Sequence, residues 1–175
     1  MATGDGEQGN FTITTSRGKY QARTILLAIG RRGTPRVLQV PGEDLPKVVY
    51  RLIDPEQYRG QHVLVVGGGD SALEAASSIA DVHGTTVTLS YRADVFGRAR
   101  AKNRDRVAAA AEAGRLNVLL SSTVVQIDAT QVTLMTHGGY RTIQNNAVIV
   151  CAGGILPTKF LQDIGIDVET KFGTA

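Results

Sequence analysis

Apolar positions along this chain fall in short runs separated by glycine, proline and charged residues. Phe11–Thr15 and Tyr20–Ile29 have the run length and β-branched content of strands, parted by Ser16-Arg17-Gly18. Residues 1–10 are polar and glycine-rich and are expected to be a turn or loose end. Between Arg31 and Pro46 stand Gly33, Pro35, Pro41 and Gly42, so an irregular crossing segment is expected there. Leu52–Gly60 has room for one or two helical turns. The apolar strand Val63–Val66 then enters a glycine turn. A helical pattern follows over Ser71–Val82, with Ala75, Ala76 and Ile79 on one face and Gly84 as its stop. Thr86–Ser90 reads as the next strand. Arg104–Ala113 is alanine-rich and stopped by Gly114, which predicts a second helix. Strands are expected at 116–121, 123–128, 131–136 and 147–152, with Gly138-Gly139 as a hairpin turn.

The pattern repeats in part. GKYQARTILLAIGRRGTP runs from a polar hairpin into an apolar strand, Thr24–Ile29, that ends in glycine. GGYRTIQNNAVIVCAGGILP does the same through Ala147–Ala152, and only this second copy has a glycine-turn βαβ unit before it. The reading is one nucleotide-binding domain flanked by parts of another. Residues 1–45 are expected to be the remnant of a second domain and a crossover, 46–155 the complete domain, and 156–175 the segment returning toward the first.

Bulk properties narrow the classes. The 175 residues are 42% hydrophobic and 20% charged, with a formal net charge of +3, which fits a globular domain. No apolar run approaches the roughly 18 residues of a membrane span, and MATGDGEQGN lacks the basic and apolar regions of a signal peptide. A cytoplasmic protein without a membrane partner is the expectation. The single cysteine, Cys151, excludes an internal disulfide and a CxxC redox pair; its apolar surroundings, AVIVCAG, favour a packing role. His62, His83 and His137 have no ligand spacing with it, so no metal site is expected. Six basic residues, Arg92, Arg98, Arg100, Lys102, Arg104 and Arg106, stand against two acids, Asp94 and Asp105, in one short stretch. Such a cluster meets an anion or forms a solvated helix face.

Gly67-Gly68-Gly69-Asp70-Ser71-Ala72 is a GxGxxA sequence placed between a strand and a helix. Gly67 permits the tight turn, Gly69 leaves the backbone open to a pyrophosphate, and Ala72 lets the helix lie close on the strand. The helix N-terminus aims free N–H groups and the positive end of its dipole at that phosphate. Where an NAD site places an Asp or Glu after the second strand to bind the ribose hydroxyl, this chain has Ser90-Tyr91-Arg92, with Arg98 and Arg100 beyond. A guanidinium fork suits a 2′-phosphate. NADPH is therefore expected in preference to NADH. Tyr91 either stacks on the adenine or caps the sheet.

GGGDSALEAA followed by VTLSYR resembles the pyridine-nucleotide domain of the two-dinucleotide-binding flavoproteins, above all the thioredoxin reductase-like branch of the pyridine nucleotide-disulfide oxidoreductases. TILLAIGRRGTPRVLQVPGE and AVIVCAGGILPTKFLQDIGI resemble the segments entering and leaving that domain. The resemblance covers residues from about 11 to 166. It implies an α/β, Rossmann-like three-layer (ββα) fold: a parallel sheet, a helical layer and a small antiparallel meander. It also implies that Gly67, Gly68, Gly69, Asp70, Ser71 and Ala72 form the pyrophosphate turn. Ser90, Tyr91, Arg92 and Arg98 would form the end that meets the 2′-phosphate, and Ala152, Gly153 and Gly154 would pass close to the nucleotide. Glu74 matches a glutamate near the nicotinamide and flavin rings, with a helix residue pairing with a neighbour as its other reading.

Departures from the pattern are equally specific. Ala93 replaces the second arginine of the family's HRRxxxR element, and Gly97 stands at the third, with Arg98 one step later. No CxxC lies between Pro46 and Gly67, which excludes disulfide reduction by the thioredoxin reductase route and points to CxxC-lacking ferredoxin–NADP reductase-like or bacillithiol disulfide reductase-like flavoproteins. The expected function is the NADPH-binding domain of an FAD-dependent oxidoreductase, with little turnover in this chain and FAD bound only by the full-length protein. Its expected partners are NADP(H), the missing FAD-domain segments, and a ferredoxin-like or thiol redox protein, with a homodimer as a further candidate. A self-standing NADP sensor is the alternative. Nucleic-acid binding through RARAKNRDR is disfavoured, because no stacking aromatics interleave that run.

Overall fold

In the structure, a computed structural model, residues 2–4, 11–28 and 34–169 are described. They divide into two compact units.

The larger unit spans Pro35–Gly153. After β1–β3, which belong to the other unit (Ala2–Gly4, Phe11–Thr15 and Gly18–Ala22), its elements are β4 (Val48–Val49), a 3₁₀ turn (Pro55–Tyr58), β5 (His62–Val66), α1 (Asp70–Ala80) and β6 (Thr86–Ser90). They continue with α2 (Ala101–Glu112), β7 (Leu116–Leu119), β8 (Thr123–Ile127), β9 (Gln131–Thr136), β10 (Gly139–Gln144) and β11 (Ala147–Val150). Five strands form a parallel sheet in the order β4-β11-β5-β6-β7. β8, β9 and β10 form an antiparallel meander.

Side-chain alternation along the sheet builds the layers. Val63, Val65, Val87, Leu89 and Ile149 pack with Ala72, Leu73, Ala75, Ala76 and Ile79 of α1 and Val107 and Ala110 of α2. The intervening residues Leu64, Val148 and Val150 pack with Val124, Ile127, Val132 and Leu134 of the meander. Each fully buried Leu, Ile or Val contributes roughly 1.5–3 kcal/mol relative to exposure, so a strand buried on both faces is anchored twice. The expected α/β Rossmann-like three-layer arrangement is what the chain forms.

The other unit contains the three-stranded antiparallel sheet β1-β2-β3 and α3 (Thr158–Asp163), a single exposed turn and a half of helix closed by a Lys159–Asp163 pair. Two expectations change here. Ala2–Gly4 is a strand, because its backbone pairs with Phe11–Ile13, although its composition reads as a loose end. Thr24–Ile29 is expected to be a buried strand, yet residues 24–28 carry no strand and Leu26 is 90% exposed; Ile29 lies outside the described residues. The same apolar pattern at 147–150 becomes β11 because β4 and β5 flank it. No such neighbours flank residues 24–28 among the described residues. β4 and α3 are not among the expected elements, and the other differences are of extent: β11 stops at Val150, β7 at Leu119, and α2 starts three residues before Arg104.

Candidate functional site

Three adjacent strands end level with one another. Val150 pairs with Val66 and Val66 with Ser90 in register, so Cys151, Gly67 and Tyr91 emerge side by side at the carboxyl edge of the sheet. Their amides extend the ladder by one bond each: Cys151 N–H to Val66 at 2.7 Å, Gly67 N–H to Ser90 and Tyr91 N–H to Leu119, both at 2.9 Å. After β5 the chain crosses to β6 on one side, whereas β11 lies on its other side. This reversal is the switch point where open α/β sheets leave a crevice for a ligand.

The glycine turn occupies that point, and each glycine meets different surroundings. Gly67 has φ +145°, and a Cβ there would run into the Cys151 carbonyl and come within 3.0 Å of the Ala72 Cβ. Ala72, wholly buried, is therefore the small residue that lets α1 approach the β5 exit. At Gly68 a side chain would run into Cδ2, Cε2 and Cζ of Tyr91. At Gly69 nothing lies within 4 Å, and no side chain caps the N-terminus of α1. The turn is thus filled at Gly67 and Gly68 and open at Gly69, where α1 directs its uncompensated N–H groups and dipole.

The flanking residues divide by role. Ser71 is exposed beside the opening. Ser90 is fully buried: its hydroxyl lies 2.8 Å from that of Ser122, which donates to Leu119 O at 2.6 Å. The Ser90 hydroxyl faces the meander and is expended on packing; its carbonyl holds Gly67, so its part in the site is positional. Tyr91 stacks on Phe96 with ring centroids 5.5 Å apart and lies against Gly68. That arrangement closes the sheet end and favours the capping reading over an adenine platform. Arg92 and Arg98 are exposed, and neither forms an ion pair among the described residues. Arg100, Arg104 and Arg106 are engaged with Asp70, the Ala99 carbonyl (2.5 Å) and Asp81.

Asp70 and Glu74 are held by a residue that the motif gives no reason to notice. Buried Asn103, on α2, donates through Nδ2 to Asp70 Oδ1 at 2.8 Å and to Glu74 Oε1 at 3.0 Å. Asp70 also accepts the Arg100 backbone N–H at 2.8 Å. These two bonds, the Arg100 amide first, hold the Asp70 carboxyl below its ordinary value, and the Arg100 guanidinium adds to the effect. The Asp70 side chain is turned to α2, which leaves its backbone amide, and not its carboxylate, at the open end of the turn. The Glu74 side chain is paired across to α2, through Asn103, and not to a residue of its own helix. Past β11, Ala152 is half-buried, Gly153 has φ +88° and accepts the Arg36 N–H at 3.0 Å, and Gly154 falls in the other unit.

Residues 4–174 match the family described as pyridine nucleotide-disulphide oxidoreductase. The chain belongs to that family. Ferredoxin–NADP reductase of Ignicoccus hospitalis is 30% identical over 161 residues, which cover 90% of this chain and 52% of the relative. The solved bacillithiol disulfide reductase Bdr of Staphylococcus aureus superposes with a TM-score of 0.84 at 28% identity, covering 97% of this chain and 52% of that one. Thioredoxin reductase of Lactococcus lactis, at 24% identity and a TM-score of 0.78 over 94% of this chain and 56% of that one, shares the fold. The chain spans about half the length of the relatives it matches. Members of the pyridine nucleotide-disulphide oxidoreductase family are flavoproteins that use NAD(P)H and FAD, and a glycine turn open at the N-terminus of α1 is the arrangement a dinucleotide requires. Among the described residues no helix is long and apolar enough to cross a membrane.

Proposed function

We propose that residues 46–155 are the NADPH-binding part of an FAD-dependent oxidoreductase and that their task is to hold NADPH for hydride transfer to a flavin. The observation that carries this reading is the pairing of an open phosphate turn with an arginine-bearing strand end that has no carboxylate. The amides of Gly69, Asp70 and Ser71 face the pyrophosphate, and Gly67, Gly68 and Ala72 give the turn its shape. Arg92 and Arg98, which form no ion pair among the described residues, meet the 2′-phosphate. Gly153, without a side chain, lets the nucleotide pass the end of β11.

The bound coenzyme supplies the hydride; this chain supplies position and charge. Glu74, oriented by Asn103, stands one helical turn from the phosphate end and is the acidic group nearest the nicotinamide side. Flavin, the remaining FAD-domain segments and the electron acceptor belong to the whole protein. The acceptor is a ferredoxin-like protein or a low-molecular-weight thiol disulfide, the classes named for the relatives, and the portions of residues 1–45 and 156–175 that lie outside the unit Pro35–Gly153 are the parts that belong with the FAD domain.

Calorimetric titration with NADPH and NADH tests this reading. The native chain is expected to bind NADPH at least tenfold more tightly, and Arg92→Ala or Arg98→Ala to weaken NADPH by about tenfold each while leaving NADH nearly unchanged. Equal affinities in the native chain would contradict it.

A further inference from the structure

Coenzyme choice depends on a loop, residues 91–100, that has no regular secondary structure. Its two ends are fastened differently. At the start, backbone bonds tie Tyr91 N–H to Leu119, Ser122 N–H to Tyr91 and Ser121 N–H to Ala93, at 2.9, 3.0 and 3.0 Å. At the far end the fastening is made by side chains. Asp70 accepts the Arg100 N–H, and Asn103 bonds Asp70. Arg92 lies beside the first anchor and Arg98 two residues from the second.

Asp70 and Glu74 are four residues apart on α1, so their like charges share one face and repel. The chain sets between them a buried side-chain amide, which can present two N–H groups from a single nitrogen. Asn103 thereby joins the first turn of α1 to the first turn of α2. Arg100, the N-cap of α2, has no side-chain cap of its own, and Asp70 takes its amide across the gap. A carboxylate left free at the opening would repel a pyrophosphate; bonded to α2 and facing the Arg100 guanidinium at 3.7 Å, its charge is partly compensated.

Resting on the coenzyme reading above, we propose that Asn103 is a positioning residue for coenzyme selection. By bridging Asp70 and Glu74 it fixes the end of the loop that carries Arg98, and with it the preference for a 2′-phosphorylated dinucleotide. Asn103 touches no coenzyme in this account. It acts through Asp70 and the loop backbone.

The test is a double-mutant comparison on the full chain, with NADPH and NADH affinities measured calorimetrically and melting followed in parallel. Asn103→Ala is expected to lower the NADPH-to-NADH affinity ratio about threefold to tenfold. Combined with Arg98→Ala it is expected to lower the ratio hardly further than Arg98→Ala alone, because both remove the same contact. Combined with Arg92→Ala, at the other anchor, the two losses multiply. A residue that only stabilised the fold would weaken both coenzymes alike. Should Asn103→Ala melt below the assay temperature, Asn103→Ser, which keeps one donor, carries the same comparison. A native chain that prefers NADPH, with an unchanged ratio in the Asn103 variants, would overturn the inference and leave the coenzyme reading standing. A native chain with no preference would overturn both.

Discussion

At the scale of single residues, the glycine turn separates packing from binding. Gly67 and Gly68 are glycines because something already occupies the space of a side chain; Gly69 is open. The consequences differ in size. Gly67→Ala forces a left-handed backbone on alanine and drives its Cβ into the Cys151 carbonyl, backbone that cannot move aside. It is expected to destabilise the fold by about 3 kcal/mol or more. Gly68→Ala meets the Tyr91 ring first and is expected to cost about 1–3 kcal/mol, most of it recovered in Gly68→Ala with Tyr91→Ala. Urea denaturation of these three variants beside the native chain checks this; equal losses at 67 and 68, or no recovery, would contradict the packing account. The sequence showed which residues make the turn, because a GxGxxA between a strand and a helix has few structural uses. It did not show Gly68 against Tyr91, or Asn103 between Asp70 and Glu74. Both contacts join residues more than twenty positions apart, and an asparagine in an arginine-rich helix carries no periodic signal.

At the scale of elements, the crossing segment before β5 shows how a loop without secondary structure is kept in place. Glu43, in the VPGE run, accepts the backbone N–H of Leu38, that of Gln39 at 2.6 Å and the Tyr50 hydroxyl at 2.7 Å. Gln39 has φ +61°, which bends the chain around the carboxylate. Desolvation alone would raise the Glu43 pKa, but the bonds from Leu38, Tyr50 and Gln39 outweigh it and hold the carboxyl below its usual 4.5. Tyr50 is pushed up to about 12 by desolvation and by the same carboxylate. A depressed carboxyl pKa stabilises the fold above pH 4.5, and the contribution is lost as pH falls through the depressed value. Glu43→Gln is therefore expected to lose about 1–2 kcal/mol at neutral pH and to show a flatter melting temperature from pH 5 down to pH 3 than the native chain. Parallel slopes in that window would contradict the assignment. Periodicity located the elements of the nucleotide unit within a few residues. It failed over residues 24–28 because an apolar run becomes a strand when neighbours pair with it, as β4 and β5 do for β11, and none does so there among the described residues.

At the scale of the molecule, the unit Pro35–Gly153 holds two buried clusters, one on each face of its own sheet. Dinucleotide binding by this unit is expected to need no flavin, since every group proposed for the coenzyme except Gly154 lies within it. The charge layout agrees: of the six basic residues from Arg92 to Arg106, Arg100, Arg104 and Arg106 are bonded within the chain, and Arg92 and Arg98 are among those left for an anion. Binding through them is expected to weaken with added salt more for NADPH than for NADH. The most direct measurement is amide and arginine-side-chain NMR of the labelled chain titrated with NADPH and, separately, NADH. Both coenzymes are predicted to shift the amides of Gly67, Gly69, Asp70 and Ser71, and only NADPH the Nε–H signals of Arg92 and Arg98. Unmoved turn amides at saturating NADPH, or arginine shifts of equal size with NADH, would contradict the account.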